Sequence, residues 1–220
     1  NQWSMAGRLR TIPDTVEDFT GYSLGVDLIA WDLPGAGGTY RSSGTARVRN
    51  VELPASYSHV TVAATGDLDI TEDLTVTGAG AMSTFIDGGG LDRVFDIGPN
   101  SVPLSVVFND LTIRNGVASG APGGAIYVHL GTVVLNDCSL SGNRTDANAN
   151  GGAISNAGNL TLNRCTLSAN TASGNGGGLY SASAVALNNT TLSGNTATLQ
   201  GGGLYNAATA TVLRATFALN

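Results

Sequence analysis

The sequence predicts an all-β fold, a right-handed single-stranded parallel β-helix. This solenoid of about six coils occupies residues 51–220, with an irregular N-terminal cap or extension over 1–50. Three observations point there. First, an apolar–Asn pair recurs at Phe108-Asn109, Leu135-Asn136, Leu162-Asn163 and Leu187-Asn188, at spacings of 27, 27 and 25. Second, other columns keep the same steps: Leu111, Cys138, Cys165, Thr190 and Ala215, and Ile113, Leu140, Leu167, Leu192 and Phe217. Third, short runs such as Leu160-Thr161-Leu162 and Cys165-Thr166-Leu167 alternate apolar and polar residues, the period of a strand. Each run is too short to bury its apolar face alone. Stacked coils bury it continuously, so such repeats come in arrays. Leucine-rich repeats have similar lengths but a different Leu spacing.

In chain order, residues 1–50 hold both Trp residues, five of the ten Arg, Pro13, Pro34 and a Gly-rich run at 35–38. The segment 15–30 is expected to form a short amphipathic helix covering the first coil, because an open solenoid end exposes core side chains and unpaired backbone. Leu68, Ile70, Leu74 and Val76 alternate like the later coils, Thr77-Gly78-Ala79-Gly80 is a turn, and Asp87 before three glycines reads as a turn residue. From residue 104 the repeats are regular. Asn109, Asn136, Asn163 and Asn188 are expected to form a structural ladder, taking the left-handed conformation at a bend and bonding the coils above and below. A second polar column, Asn143, Asn170, Asn195 and Asn220, marks the next bend. Glycine pairs at 123–124, 151–152, 177–178 and 202–203 allow a turn where a side chain would clash. Cys138 and Cys165 are one coil apart and point inward, at a separation compatible with a disulfide, although parallel stacking makes its angles poor and favours buried thiols.

Glycine is abundant at 31 of 220 residues, while charged residues make up 12% and apolar residues 42%, so a sizeable core is available. Every basic residue is Arg. A net charge of −6 and a pI near 4.6 argue against nucleic acid as a partner. No apolar run reaches the length of a membrane span. The chain opens on Asn1 without a signal-peptide pattern, as expected of a mature exported protein or of a fragment.

The stretch GDLDITEDLTVTGAGAMSTFIDGGGLDRVFDI, residues 66–97, resembles the opening coils of bacterial extracellular parallel β-helix repeat proteins, a group similar in fold to pectate lyases. LTLNRCTLSANTASGNGGGLYS, residues 160–181, resembles the same group and the chlamydial polymorphic outer-membrane proteins. The resemblance covers residues 51–220 and implies an exported solenoid. Upstream, Ser23-Leu24 is followed by Gly25-Val26-Asp27, which departs from the helix that often precedes such coils.

An enzyme of this fold needs grouped carboxylates. The period brings Asp110 and Asp137 onto adjacent coils, with Arg164, Asn189 and Arg214 continuing their column. This is a Ca²⁺ or sugar site, or else an exposed charged column balanced by Arg. Asp87, Asp92 and Asp96 lie in a turn-rich coil near Arg93, and His59 and His129 stand alone in the sequence. No catalytic, cofactor or metal residues are assigned. Thr112, Ser139, Thr166, Thr191 and Thr216 form an outward hydroxyl column beside Arg114, Ser141, Ser168, Ser193 and Ala218. Such a face suits ice, glycans or a fibre, and is equally an ordinary soluble β surface. Glycosylation sequons occur at Asn143, Asn159 and Asn188. The last coil repeats the earlier ones, which leaves Val212, Phe217, Leu219 and Asn220 as an assembly end, or else as the point from which a longer chain continues. The expected function is a non-enzymatic structural or adhesive protein, extracellular or on the cell surface, joining head to tail into a filament. Its expected partners are itself and extracellular polysaccharide. The alternative is a carbohydrate-binding or polysaccharide-degrading β-helix.

Overall fold

The computed structural model describes residues 67–99 and 102–220 in full. It also describes the backbone of the strands Phe19–Thr20, Ile29–Leu33, Ala36–Gly38, Ser42–Ser43, Asn50–Glu52 and His59–Val62. No helix occurs among the described residues. One coil runs through Ile126–Val128, Gly131–Asn136, Ser139–Ser141 and Arg144–Thr145, then returns through glycines to Ile154. Its strands enter four different sheets, of six, seven, nine and four strands. Strands adjacent in sequence are therefore never hydrogen-bonded to one another within a regular coil; each pairs in parallel with its equivalent one coil away.

The inward columns form the core. Phe108, Leu135, Leu162 and Leu187 stack in the seven-stranded sheet, and Ile113, Leu140, Leu167 and Leu192 in the nine-stranded sheet, all fully buried. Ile126, Ile154 and Leu179 close the core from the six-stranded side. Burial of these residues supplies roughly 1.5–3 kcal/mol per large side chain, offsetting the cost of ordering the backbone.

The asparagine columns divide the bend chemistry differently from the expectation. Asn109, Asn136, Asn163 and Asn188 end extended strands, and the left-handed residue is the next one: Asp110, Asp137, Arg164 and Asn189, with φ of 56°, 53°, 54° and 50°. The extended backbone leaves each amide free to reach along the stack. Asn136 Nδ2 donates to Asn109 Oδ1 (2.8 Å), Asn163 Nδ2 to Asn136 Oδ1 (2.8 Å) and Asn188 Nδ2 to Asn163 Oδ1 (2.9 Å). In the next coil this column holds Leu213.

The second asparagine column is buried. Asn143 and Asn170 are wholly enclosed, and Asn195 nearly so. Each follows a left-handed residue, namely Gly142, Ala169 and Gly194. Asn170 Nδ2 donates to Leu140 O (3.0 Å) and to Asn195 Oδ1 (2.9 Å). These amides satisfy strand-end backbone groups at a bend that excludes water, which is what a buried polar side chain must do.

The glycine columns shift by one residue in two coils. Because Ile126 pairs with Ile154 and Ile154 with Leu179, Gly123-Gly124-Ala125 aligns with Gly151-Gly152-Ala153 and then with Gly176-Gly177-Gly178. The first member is left-handed (φ 74°, 74° and 70°). The second has another reason to be glycine: a Cβ at Gly152 would strike the carbonyl oxygen of Gly177 in the next coil.

Near the N-terminus, Asn50–Glu52 pairs in parallel with Leu74–Thr77, and His59–Val62 with Phe85–Asp87. Ile29–Leu33 then runs antiparallel to His59–Val62, and Ala36–Gly38 antiparallel to Ile29–Leu33. This part of the backbone finishes the nine-stranded sheet with antiparallel strands, one device for covering an edge. Where the helix over 15–30 was expected, the described residues are strand (19–20 and 29–30), and the remainder lie outside the described residues.

Candidate functional site

On the six-stranded sheet the odd side chains of each strand fill the core and the middle one faces outward. Pairing sets the outward column as Asp69, Asp96, Tyr127, Ser155, Tyr180 and Tyr205. All three tyrosines among the described residues stand in it. Tyr180 and Tyr205 lie with rings parallel to within 5° and centroids 5.4 Å apart. The two rings thus stack on one another along the column. At about 4.8 Å per coil the column is roughly 24 Å long.

One end of the column is densely charged. Arg93, from the turn before Phe95–Ile97, donates through Nε to Asp67 Oδ2 (2.7 Å) and through an Nη to Asp96 Oδ2 (2.8 Å). Its other Nη donates to Pro122 O (3.0 Å), and its guanidinium lies 5.6 Å from the Tyr127 ring centre. His129, just beyond the strand Ile126–Val128, brings Nε2 to 2.7 Å from Asp96 Oδ1, although neither atom makes an aligned hydrogen bond. The His129 ring also packs 4.1 Å from that of Tyr127. Burial pushes the Asp96 carboxyl above its ordinary range, against the opposing pull of Arg93 and His129.

Asp67, Asp69 and Asp96 each bring a carboxylate oxygen within 4.8 Å of the others, a spacing that a divalent cation can bridge. The Arg93 guanidinium already pairs with two of these three carboxylates, so the cluster carries an internal cation.

The positions singled out from the sequence lie elsewhere. Asp110 and Asp137 occupy the left-handed bend beside the seven-stranded sheet, and Arg164 closes on Asp137 with two bonds of 2.7 and 2.6 Å. Those hydrogen bonds hold the Asp137 carboxyl below its ordinary range. The pair is exposed, so it contributes little to stability. Asp87 accepts from Gly89 N (2.9 Å), closing its turn, and also from Arg114 Nε and Asn115 Nδ2. In the sequons, Asn143 is enclosed and Asn188 is held in its ladder, while Asn159 is exposed at the start of a strand.

Cys138 and Cys165 are buried free thiols. Cys138 Sγ faces Asn136 O (3.2 Å), and Cys165 Sγ faces Asn163 O (3.4 Å). Thr190 donates to the equivalent Asn188 O (3.2 Å), so the sulfurs take the place of a hydroxyl. Hydrogen bonding to the Cys165 sulfur, together with burial, pushes the Cys138 thiol far up, which disfavours the reactive thiolate.

At the last coil, Val212 and Phe217 continue inward columns and are 44% and 48% exposed. Leu219 belongs to a different class. It sits at the left-handed bend position of Asn115, Gly142, Ala169 and Gly194, all of them exposed, and is 95% exposed. Asn220 is engaged: its Oδ1 accepts from Asn195 N (3.0 Å) and Nδ2 (2.8 Å).

The tyrosine column and its charged end escaped sequence reasoning because Asp69, Asp96 and Tyr127 become neighbours only through pairing across coils of unequal length. A usable signal was present in Leu179-Tyr180-Ser181 and Leu204-Tyr205-Asn206, which repeat an outward Tyr.

Residues 164–182 and 189–207 match the Chlamydia polymorphic membrane protein (Chlamydia_PMP) repeat. Each matched stretch runs from a left-handed bend residue, through a buried Asn and the glycines, to an outward Tyr. No curated protein and no solved structure matches the chain. The chain is thus a parallel β-helix repeat protein that resembles these membrane-protein repeats, and the likeness points to a surface or outer-membrane-associated protein. No helix among the described residues is long and apolar enough to cross a membrane.

Proposed function

We propose that the chain is an extracellular, non-enzymatic structural and adhesive solenoid that stacks end to end on further copies of itself. The observation that carries this reading is the likeness of residues 164–182 and 189–207 to the Chlamydia polymorphic membrane protein repeat, borne on a solenoid whose coils pair in register. Each coil stacks on another of the same column pattern, and the proposal extends that stacking to a second copy. Such a contact joins unlike ends, and unless its rotation closes it extends into a fibre. Protease treatment of intact cells tests surface display. Sedimentation over a concentration series, with electron microscopy, tests assembly. Filaments that Phe217→Asp abolishes without loss of fold support the reading; particles that stay monomeric throughout overturn it.

A second reading, binding of extracellular carbohydrate, is favoured by the tyrosine column with its polar end. Ligand sites typically combine aromatic surface with a few placed polar groups.

A further inference from the structure

Among the described residues, two pairs of identical oxidisable side chains stand on adjacent coils. Cys138 and Cys165 are enclosed in the core, with their sulfurs against backbone carbonyls. Tyr180 and Tyr205 are register partners in the middle of their strands, on the outward side of the six-stranded sheet, and both are partly exposed. An oxidant in solution reaches the second pair and not the first. The two rings are parallel to within 5°, with centres 5.4 Å apart. Tyr127 stands two coils from Tyr180 in the same column, with Ser155 between them, and its ring lies against His129 and the Arg93 guanidinium.

We infer that Tyr180 and Tyr205 are a site of oxidative cross-linking, where a carbon–carbon bond between the two phenol rings staples one coil to the next. The oxidant is a peroxide acting through a haem peroxidase. Each phenol gives up one electron and one proton. The phenoxyl radical that remains shares its unpaired electron between the oxygen and the ring carbons ortho to it. A bond then forms between one ortho carbon of each ring. The hydrogen on each of those carbons leaves as a proton while the phenol oxygen takes one up, which restores both aromatic rings. The chain loses two hydrogen atoms in all, and one peroxide is reduced to two waters.

Rings on different chains couple only when two radicals meet in solution. Here the solenoid has already brought the partners together. Parallel pairing in register holds the two backbones about 4.8 Å apart, and both side chains leave the same face from equivalent positions. An encounter is replaced by a turn about side-chain bonds, the advantage that proximity gives any reaction within one molecule. Tyr127 starts about 10 Å from Tyr180, across the coil of Ser155, and lacks that advantage. The new bond closes a loop one coil long and so constrains the unfolded chain as a disulfide does. It needs neither an end-to-end contact nor a carbohydrate, because both rings belong to one chain.

The test treats the whole chain, at low concentration, with a haem peroxidase and hydrogen peroxide. It reads the blue fluorescence of the biphenol and then the masses of the proteolytic peptides. Tyr22, Tyr40 and Tyr57 lie outside the described residues, so the peptide map rather than the fluorescence assigns the bond. Expected are a monomer lighter by two hydrogens, with Tyr180 joined to Tyr205, and a higher urea midpoint than that of the untreated chain. Tyr180→Phe and Tyr205→Phe each keep the ring but lack the phenol oxygen, and circular dichroism checks their fold. Each is expected to lower the biphenol fluorescence by roughly tenfold or more. Tyr127→Phe should react as the parent does. A chain that forms no biphenol, or that joins these tyrosines mainly to others or to a second copy, overturns the site. So does an equal loss of fluorescence in Tyr127→Phe. A joined pair with an unchanged urea midpoint overturns its role as a staple.

Discussion

Asn170 Oδ1 accepts two hydrogen bonds from Asn143, one from its backbone N–H and one from its side-chain amide, both at 3.0 Å. Each enclosed asparagine thus ties its own coil to the next and repeats the arrangement through Asn195 to Asn220. The column is a buried polar network whose members are satisfied by one another, an arrangement that specifies register strongly.

Replacing Asn170 by Ala strands the backbone N–H of Asn143 and the carbonyl of Leu140 in a water-free bend. The expected cost is about 3 kcal/mol in urea unfolding. Asn163→Ala, in the partly exposed ladder, should cost no more than about 1 kcal/mol, because water can replace the lost bonds. Equal costs at the two sites would show that enclosure is not what matters.

Gly152→Ala places a methyl group against the Gly177 carbonyl oxygen of the neighbouring coil, where backbone rather than a flexible side chain must move. A loss of more than about 2 kcal/mol is expected. Gly90 is a useful contrast. Its φ is +72°, but a Cβ there would meet nothing within 4 Å, so Gly90→Ala should cost only about 1 kcal/mol of backbone strain. Thermal melts of the two variants separate steric stacking from conformational freedom.

Cys165→Thr copies the residue that the next coil already carries at Thr190, with its hydroxyl directed at the same class of carbonyl. Stability should change by no more than about 1 kcal/mol. In the parent chain both thiols should resist alkylation until urea unfolds the coil, since both are enclosed in the core. Rapid labelling of the native protein would contradict this picture.

Asp96 has a raised folded pKa, so its contribution to stability is complete below the unfolded value of 3.8 and is lost as the pH rises through the folded value. Relative to Asp96→Asn, the parent should therefore lose stability over the acid range above 3.8 and then level off. Urea titrations of both proteins from about pH 3.5 to about pH 7 give the difference directly. A parent that gains stability over the variant in this window would mean that Arg93 and His129 outweigh burial.

The parallel solenoid was legible in the sequence because its cause is local and repeated. Columns such as Phe108, Leu135, Leu162 and Leu187 recur at a nearly constant step, and alternation within each run marks which side chains enter the core. The bend residues were only partly legible. Two asparagine columns look alike in sequence, yet Asn109 and its equivalents are partly exposed while Asn143 and its equivalents are enclosed, a difference set by which side of the bend each faces. The tyrosine column depended wholly on tertiary structure. Its members are separated by coils of unequal length, and Asp67, Arg93, Asp96 and His129 meet only when parallel pairing brings the third sheet into register. Periodicity dictates what points inward, because burial acts on every coil alike. What gathers on an outward face carries no such constraint, and only the stacking of coil upon coil decides it.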